Sequence, residues 1–239
     1  MKQPRWSVVI PAFNEAERLP RYLQEVLAFL AARGPSWEIV VVDDGSRDDT
    51  VGAVKPVVGD HPAVRVVRHE KNSGKGFAVK AGMLAARGDY RLFADADGAT
   101  PIVELVRLEA ALDAGADVAI GSRAVTAPGV RVQARQHRVA AGRVFNLLVT
   151  SAGLGGIADS QCGFKAFTSA AAEDLFGRLR TNGFGFDVEV LLRARRSGFR
   201  IAEVAVNWAD QEGSKVRLWR NGPVMVWEVL KARRRALAP

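Results

Sequence analysis

Between residues 6 and 121 the chain alternates short apolar runs with helical patterns, and that alternation restricts the fold more than any other feature of its 239 residues. The runs 6–10, 37–42, 64–68, 89–94 and 118–121 have the length and β-branched content of buried strands. Between the first two, residues 15–32 place Leu19, Leu23, Val26, Leu27 and Leu30 on one helical face. A second helix begins near Asp48 and Asp49, and a third spans 74–87. Strands joined through helices run parallel and are covered on both faces, so the expectation is an α/β chain with a mainly parallel central sheet. Four strand ends carry polar residues to one edge: Asn14 and Glu15, Asp43 and Asp44, 72–75, and Asp95 with Asp97. Open sheets of this kind bind ligands at the carboxyl ends of their strands, which predicts a nucleotide crevice there.

The stretch Asp95-Ala96-Asp97-Gly98 is the sharpest chemical feature of that edge. Two carboxylates spaced i, i+2, with a glycine freeing the backbone after them, can converge on one hard divalent cation that takes its other ligands from water and phosphate. The plain alternative is an acidic turn capping the helix that Pro101 opens. Asp43 and Asp44 carry the same pair of readings, ligand binding or a capped turn.

Composition removes several classes. A single cysteine, Cys162, excludes an internal disulfide and a thiolate metal site, and fits a reducing compartment. The three histidines show no ligand spacing. The N-terminal apolar run is too short for a signal core, and no window is apolar for long enough to span a bilayer. There is no G-x-G-x-x-G after the first strand and no complete phosphate loop, because 72–76 lacks the first glycine. A net charge of +8 calls for an anionic partner: nucleic acid, phosphorylated substrate or acidic lipid.

The segments 8–15, 41–48, 71–76 and 94–98 together resemble the family 2 glycosyltransferases of the GT-A nucleotide-diphospho-sugar fold. Gly121-Ser122-Arg123, 159–165, 185–189 and 213–216 resemble the polyprenyl-phosphate sugar synthases within that family, and 95–100 is most similar to the dolichyl-phosphate β-glucosyltransferase branch. The resemblance implies a catalytic domain over 1–217 and a basic amphipathic C-terminal helix over 218–239. It also implies inverting transfer of a hexose, glucose from UDP-glucose, to a polyprenyl or dolichyl phosphate, with Mg²⁺ or Mn²⁺ held by Asp95 and Asp97. Pro11, Phe13, Glu15, Asp43, Lys75, Asp95 and Ala96 would border the nucleotide sugar. Asp97, Arg123 and Lys215 would carry catalysis, and Arg123, Arg131, Lys215 and Arg217 would hold the acceptor phosphate. Gln161 would lie near donor or acceptor, with a backbone-tying amide as its alternative. Asp187 and Glu189 either face the sugar hydroxyls or acceptor pocket or are helix N-terminal charges.

Two stretches, 134–152 and 218–239, set arginines against bulky apolar groups, as peripheral membrane helices do; core packing or a homodimer contact stays open for both. The expected location is the cytoplasmic face of a membrane, peripherally bound. Other readings keep the fold and change the partner: GDP-mannose as donor, or a soluble glycan as acceptor. A nucleic-acid-binding module ranks behind these, because no aromatic-basic recognition motif accompanies the charge and two carboxylates would repel phosphate.

Overall fold

The structure, a computed structural model, describes residues 3–34, 36–133, 149–211 and 218–237. Strands β1 (Trp6–Ala12), β2 (Trp37–Asp43), β3 (Val64–Arg68), β4 (Tyr90–Ala94) and β5 (Val118–Ser122) fall where the apolar runs predict them. Beyond them come β6 (Val132–Gln133), β7 (Phe164–Thr168), β8 (Ile201–Ala205) and β9 (Trp208–Ala209). The helices are α1 (Leu19–Ala32), α2 (Thr50–Val58), α3 (Lys75–Ala85), α4 (Leu105–Asp113), α5 (Ser169–Gly177), α6 (Phe186–Arg196) and α7 (Leu218–Leu237).

Among the described residues the main sheet runs β3-β2-β1-β4-β7-β5-β8, and every neighbouring pair is parallel except those made by β7. Successive side chains leave a strand on opposite faces, so a sheet buried on both sides needs apolar groups at nearly every position. Val8, Ile10, Ile39, Val41 and Leu92 pack on one face beneath α1 and α4. Val9, Val40, Val42 and Phe93 face the other way, under α3, α5 and α6. The β1–β2 register ends at Ala12 opposite Asp43, which brings the two following loops side by side.

Helix α1 starts at Leu19, four residues later than the periodicity predicts. Asn14 sits at φ +54°, and the Glu15 N–H donates to Thr50 Oγ1 at 2.9 Å, so residues 14–18 form a turn tied to the neighbouring loop instead of a first helical turn. Helix α2 is capped by Asp49, whose carboxylate accepts from Gly52 N–H at 3.0 Å.

Helix α7 lies on α6 and buries Val229, Ala232 and Ala236. Glu228 Oε2 accepts from Gly185 N–H at 2.8 Å, and the Arg193 guanidinium donates to the Arg235 carbonyl at 2.9 Å. Its outer face leaves Trp227 and Leu230 exposed. No helix among the described residues is long and apolar enough to cross a membrane. Most of the amphipathic stretch 134–152, namely 134–148, lies outside the described residues, as do Lys215 and Arg217.

Candidate active site

At the carboxyl ends of β1 and β2 the two loops lock together. Asn14 N–H donates to Ser46 Oγ at 2.8 Å, and its own Oδ1 accepts from Arg47 N–H at 2.7 Å. Glu15 is buried and holds Arg18 bidentately, at 2.8 and 2.6 Å. Pro11 and Phe13 are half-buried along the same lip. The two carboxylates that end β2 have separate jobs. Asp44 is a structural cap: it accepts from Ser73 N–H at 3.1 Å and Gly74 N–H at 2.8 Å, fixing the loop that opens α3. Asp43 is fully buried, and its Oδ1 accepts from Ser46 N–H at 3.2 Å. Among the described residues its Oδ2 has no hydrogen-bond partner, although Arg68 Nε lies 3.4 Å away. A buried carboxylate oxygen left in that state is a waiting acceptor for a ligand donor.

Across the crevice, Asp95 leaves the end of β4 with its N–H on the Gly163 carbonyl at 2.9 Å. A methyl group built on Gly163 would overlap the Asp95 carboxylate, so any larger residue there would displace that carboxylate. Gly98, at φ +65°, turns the chain back over the ring of Tyr22, and Asp97 Oδ1 accepts from Ala99 N–H at 3.1 Å. The Asp97 carboxyl is held above its ordinary value, first by burial and then by Asp95. Cations answer this concentration of negative charge: Lys75 Nζ lies 2.7 Å from Asp95 Oδ1, and an Arg18 nitrogen lies 3.9 Å from Asp97 Oδ2. Among the described residues no cluster of three His, Cys, Asp or Glu forms here. The donor set therefore suits a hard divalent cation that completes its shell with water and phosphate oxygens, and does not suit an all-protein cage. Ala96, between the two carboxylates, turns its side chain into the core, so only its backbone is available to a ligand.

Beneath this turn lies a buried charge network that the sequence did not disclose. Lys165, on β7, is fully buried; its Nζ donates to the Cys162 carbonyl at 2.6 Å and to Asp187 Oδ1 at 2.7 Å, and sits 5.3 Å from the centre of the Phe93 ring. Asp187 is thus a counter-ion inside the protein. Glu189 is equally buried, accepting from Arg180 N–H at 3.1 Å and Arg193 Nε at 3.0 Å, so it braces the segment entering α6.

The far wall is built from the end of β5. Arg123 lies bidentate on Asp159, at 2.6 and 2.8 Å, and 5.4 Å from the centre of the Trp208 ring. Burial alone would lower the Arg123 pKa and raise that of Asp159; the hydrogen-bonded pair outweighs it, raising the first and lowering the second. Gln161 N–H donates to Asp159 Oδ1 at 3.1 Å, and among the described residues the Gln161 amide reaches only Ser160, at 3.4 Å. Asp95, Thr100, Phe164 and Trp208 line a narrow cleft between the acidic turn and this wall. Arg131 is exposed at the start of the β6–β9 ribbon, its N–H on Asn207 Oδ1 at 2.8 Å. The ribbon reaches the acidic turn through Ala209 N–H and the Ala99 carbonyl, at 2.9 Å.

Residues 7–176 match the family model described as glycosyl transferase family 2. Dolichyl-phosphate beta-glucosyltransferase of Drosophila melanogaster is 41% identical over 223 residues, which is 88% of this chain and 68% of the relative. The Trichomonas vaginalis protein of that name, ALG5C, is 39% identical, covering 89% of this chain and 66% of the relative, so the chain spans about two thirds of these relatives. Among solved structures, glucosyl-3-phosphoglycerate synthase from Mycobacterium tuberculosis in complex with Mg²⁺ and UDP superposes with a TM-score of 0.73. It is 21% identical, with 100% of this chain and 81% of that one covered, a likeness of fold. The parallel sheet interrupted by antiparallel β7 is the GT-A architecture, and the chain belongs to glycosyl transferase family 2.

Proposed function

We propose that the chain transfers a glucosyl unit from UDP-glucose to a dolichyl-type polyprenyl phosphate, with inversion at the anomeric carbon. The observation that carries this reading is the paired carboxylates Asp95 and Asp97 facing a crevice in which Asp43 keeps an unsatisfied oxygen. Relatives named dolichyl-phosphate beta-glucosyltransferase support the sugar and the acceptor. Fold neighbours crystallised with UDP and Mg²⁺, or with UDP-glucose and Mn²⁺, support the donor and the metal.

Each residue has a task set by its chemistry. Asp43 Oδ2 accepts from a donor group of the base or ribose, with Pro11, Phe13 and Glu15 forming the lip beside it. Asp95 and Asp97 hold Mg²⁺ or Mn²⁺, which as a Lewis acid offsets charge on the departing nucleoside diphosphate. Lys75 keeps its ammonium beside Asp95, where the same diphosphate charge gathers. A phosphate acceptor is already an anionic oxygen nucleophile near neutral pH, so it needs positioning and shielding more than a base. Arg123, clamped by Asp159, supplies a cation of fixed orientation; Arg131, Lys215 and Arg217 complete the acceptor set. One in-line displacement without a covalent intermediate inverts the anomeric carbon. The outer face of α7, with Trp227, Leu230 and Lys231, rests on the membrane carrying the lipid.

The test is incubation of the purified chain with a panel of nucleotide sugars, Mg²⁺ or Mn²⁺, and short polyprenyl phosphates. A glucolipid formed from UDP-glucose is expected. Asp97→Ala or added EDTA should cut its formation by roughly 10²-fold or more with the fold intact by circular dichroism. Full turnover in EDTA would remove the metal role, and transfer only to a water-soluble acceptor would overturn the lipid assignment.

A further inference from the structure

Away from the strand-end crevice, and sharing no residue with it, a cleft of about 570 Å³ opens between α3, α5, α6 and the end of α7. Lys80, Arg178, Arg180, Arg193 and Arg196 line it, and among the described residues no acidic one joins them. Two of the five are answered by carboxylates outside the lining, Arg178 by Asp174 and Arg193 by buried Glu189. Among the described residues Lys80 donates only to main-chain carbonyls, those of Leu179 at 2.8 Å and Gly177 at 3.5 Å. Arg180 and Arg196 are exposed, and among the described residues neither side chain meets a carboxylate. Behind the wall, Arg235 donates to the Arg180 carbonyl at 2.7 Å and to Thr181 Oγ1 at 3.1 Å, adding a further uncompensated cation.

Cations gather at helix C-termini for a dull reason: the backbone dipole there acts as about half a negative charge. Three helices, α5, α6 and α7, end at this cleft, so that effect absorbs about one and a half of the four uncompensated charges. Among the described residues roughly two and a half positive charges remain around one concavity, more than helix capping requires. The volume lies in the range of small-ligand sites. Guanidinium forks grip phosphate bidentately, and a phosphomonoester or diphosphate carries the charge that would balance the excess.

We propose that this cleft is a second anion site, selective for a phosphomonoester or diphosphate group, whether on a lipid headgroup or on a free small molecule. Leu179 and Ala236 form its apolar lining, and their methyl groups report occupancy without interference from the strand-end crevice. The test titrates methyl-labelled protein with inorganic pyrophosphate in EDTA and follows those two resonances. Both should shift saturably, and Arg180→Glu with Arg196→Glu should weaken the response about tenfold or more. The milder pair Arg180→Gln with Arg196→Gln should give an intermediate loss, and circular dichroism spectra should match the parent for both pairs; the Glu pair should melt slightly lower, because Arg196 closes α6 where the helix dipole favours a cation. Sedimentation with phosphatidylcholine vesicles, with and without phosphatidic acid, separates the sources. Loss of phosphatidic acid binding in the Glu pair identifies a lipid headgroup, and loss of pyrophosphate binding alone identifies a free phosphate ligand. Methyl resonances that stay fixed at saturating pyrophosphate, or that move equally in parent and Glu pair, would overturn the proposal.

Discussion

Lys165 and Asp187 meet at 2.7 Å with both side chains buried, and that pair supports Cys162 and the strand end beside Asp95. Desolvating two charges costs as much as their attraction returns, so such a pair adds little net stability; removing one partner is a different matter. Burial already raises the Asp187 carboxyl above its ordinary value, although Lys165 and Lys75 pull it down. In Lys165→Met the main opposing cation is gone, and a loss of about 3–5 kcal/mol near pH 7 is expected from urea unfolding. The folded state of that variant binds the Asp187 proton more tightly than the unfolded chain does. Its stability therefore falls as pH rises from the ordinary carboxylate value through the raised one, and stays flat above. The deficit should narrow near pH 5 relative to about pH 7.5, and Lys165→Met with Asp187→Leu should recover most of it. An equal deficit at both pH values would refute a charge origin. The placement of Asp43, Asp95 and Asp97 at the ends of β2 and β4 was legible in the sequence because a strand end announces itself locally. The Lys165–Asp187 pair was not, since it joins a strand to a helix across the core and leaves no trace in spacing.

Elements differ in legibility for the same kind of reason. Strands β1 to β5 could be read directly because a two-faced buried strand needs an apolar run. Strand β7 breaks that rule by carrying Lys165 into the core, and its antiparallel insertion between β4 and β5 is a tertiary event that no local pattern encodes. Strand β8 interrupts its run with Glu203, which accepts from the N–H groups of Ala158 and Asp159 at 2.9 and 2.8 Å and so holds the loop that clamps Arg123. For α7 the amphipathic pattern was plain, but it allowed a core helix and a membrane helix alike. The structure turns Val229, Ala232 and Ala236 inward and leaves Trp227 and Leu230 outward, with Lys231 Nζ 4.3 Å from the Trp227 ring. Replacing Trp227 and Leu230 with Ser should reduce sedimentation with anionic vesicles about tenfold or more, because each large side chain transfers roughly 2 kcal/mol on burial. Turnover of a short, water-soluble polyprenyl phosphate should stay near the parent value. An equal fall in both assays would mean that the outer face serves folding and not the membrane.

Over the whole molecule, 34 basic residues face 26 acidic ones, and their arrangement matters more than the excess. Many carboxylates are spent on internal pairs: Glu109 with Arg5 and Arg33, Glu38 with Arg65, Asp159 with Arg123. Those pairs join elements distant in sequence, which is why the charge count was legible and the field was not. The net charge of +8 favours the approach of both proposed substrates, each an anion. Attraction over distances beyond contact is screened within about 10 Å at 0.1 M salt and about 3 Å at 1 M. Charges in direct contact and partly shielded from solvent, such as Lys75 on Asp95 at 2.7 Å, are screened less. Salt should therefore act on encounter more than on chemistry: kcat/KM for the nucleotide sugar is expected to fall several-fold between about 0.05 and 0.5 M NaCl while kcat changes little. Steady-state kinetics with the soluble acceptor, repeated in potassium glutamate to separate ionic strength from chloride binding, measures both. A kcat that falls in parallel with kcat/KM would locate the salt effect inside the crevice and remove long-range attraction from the account.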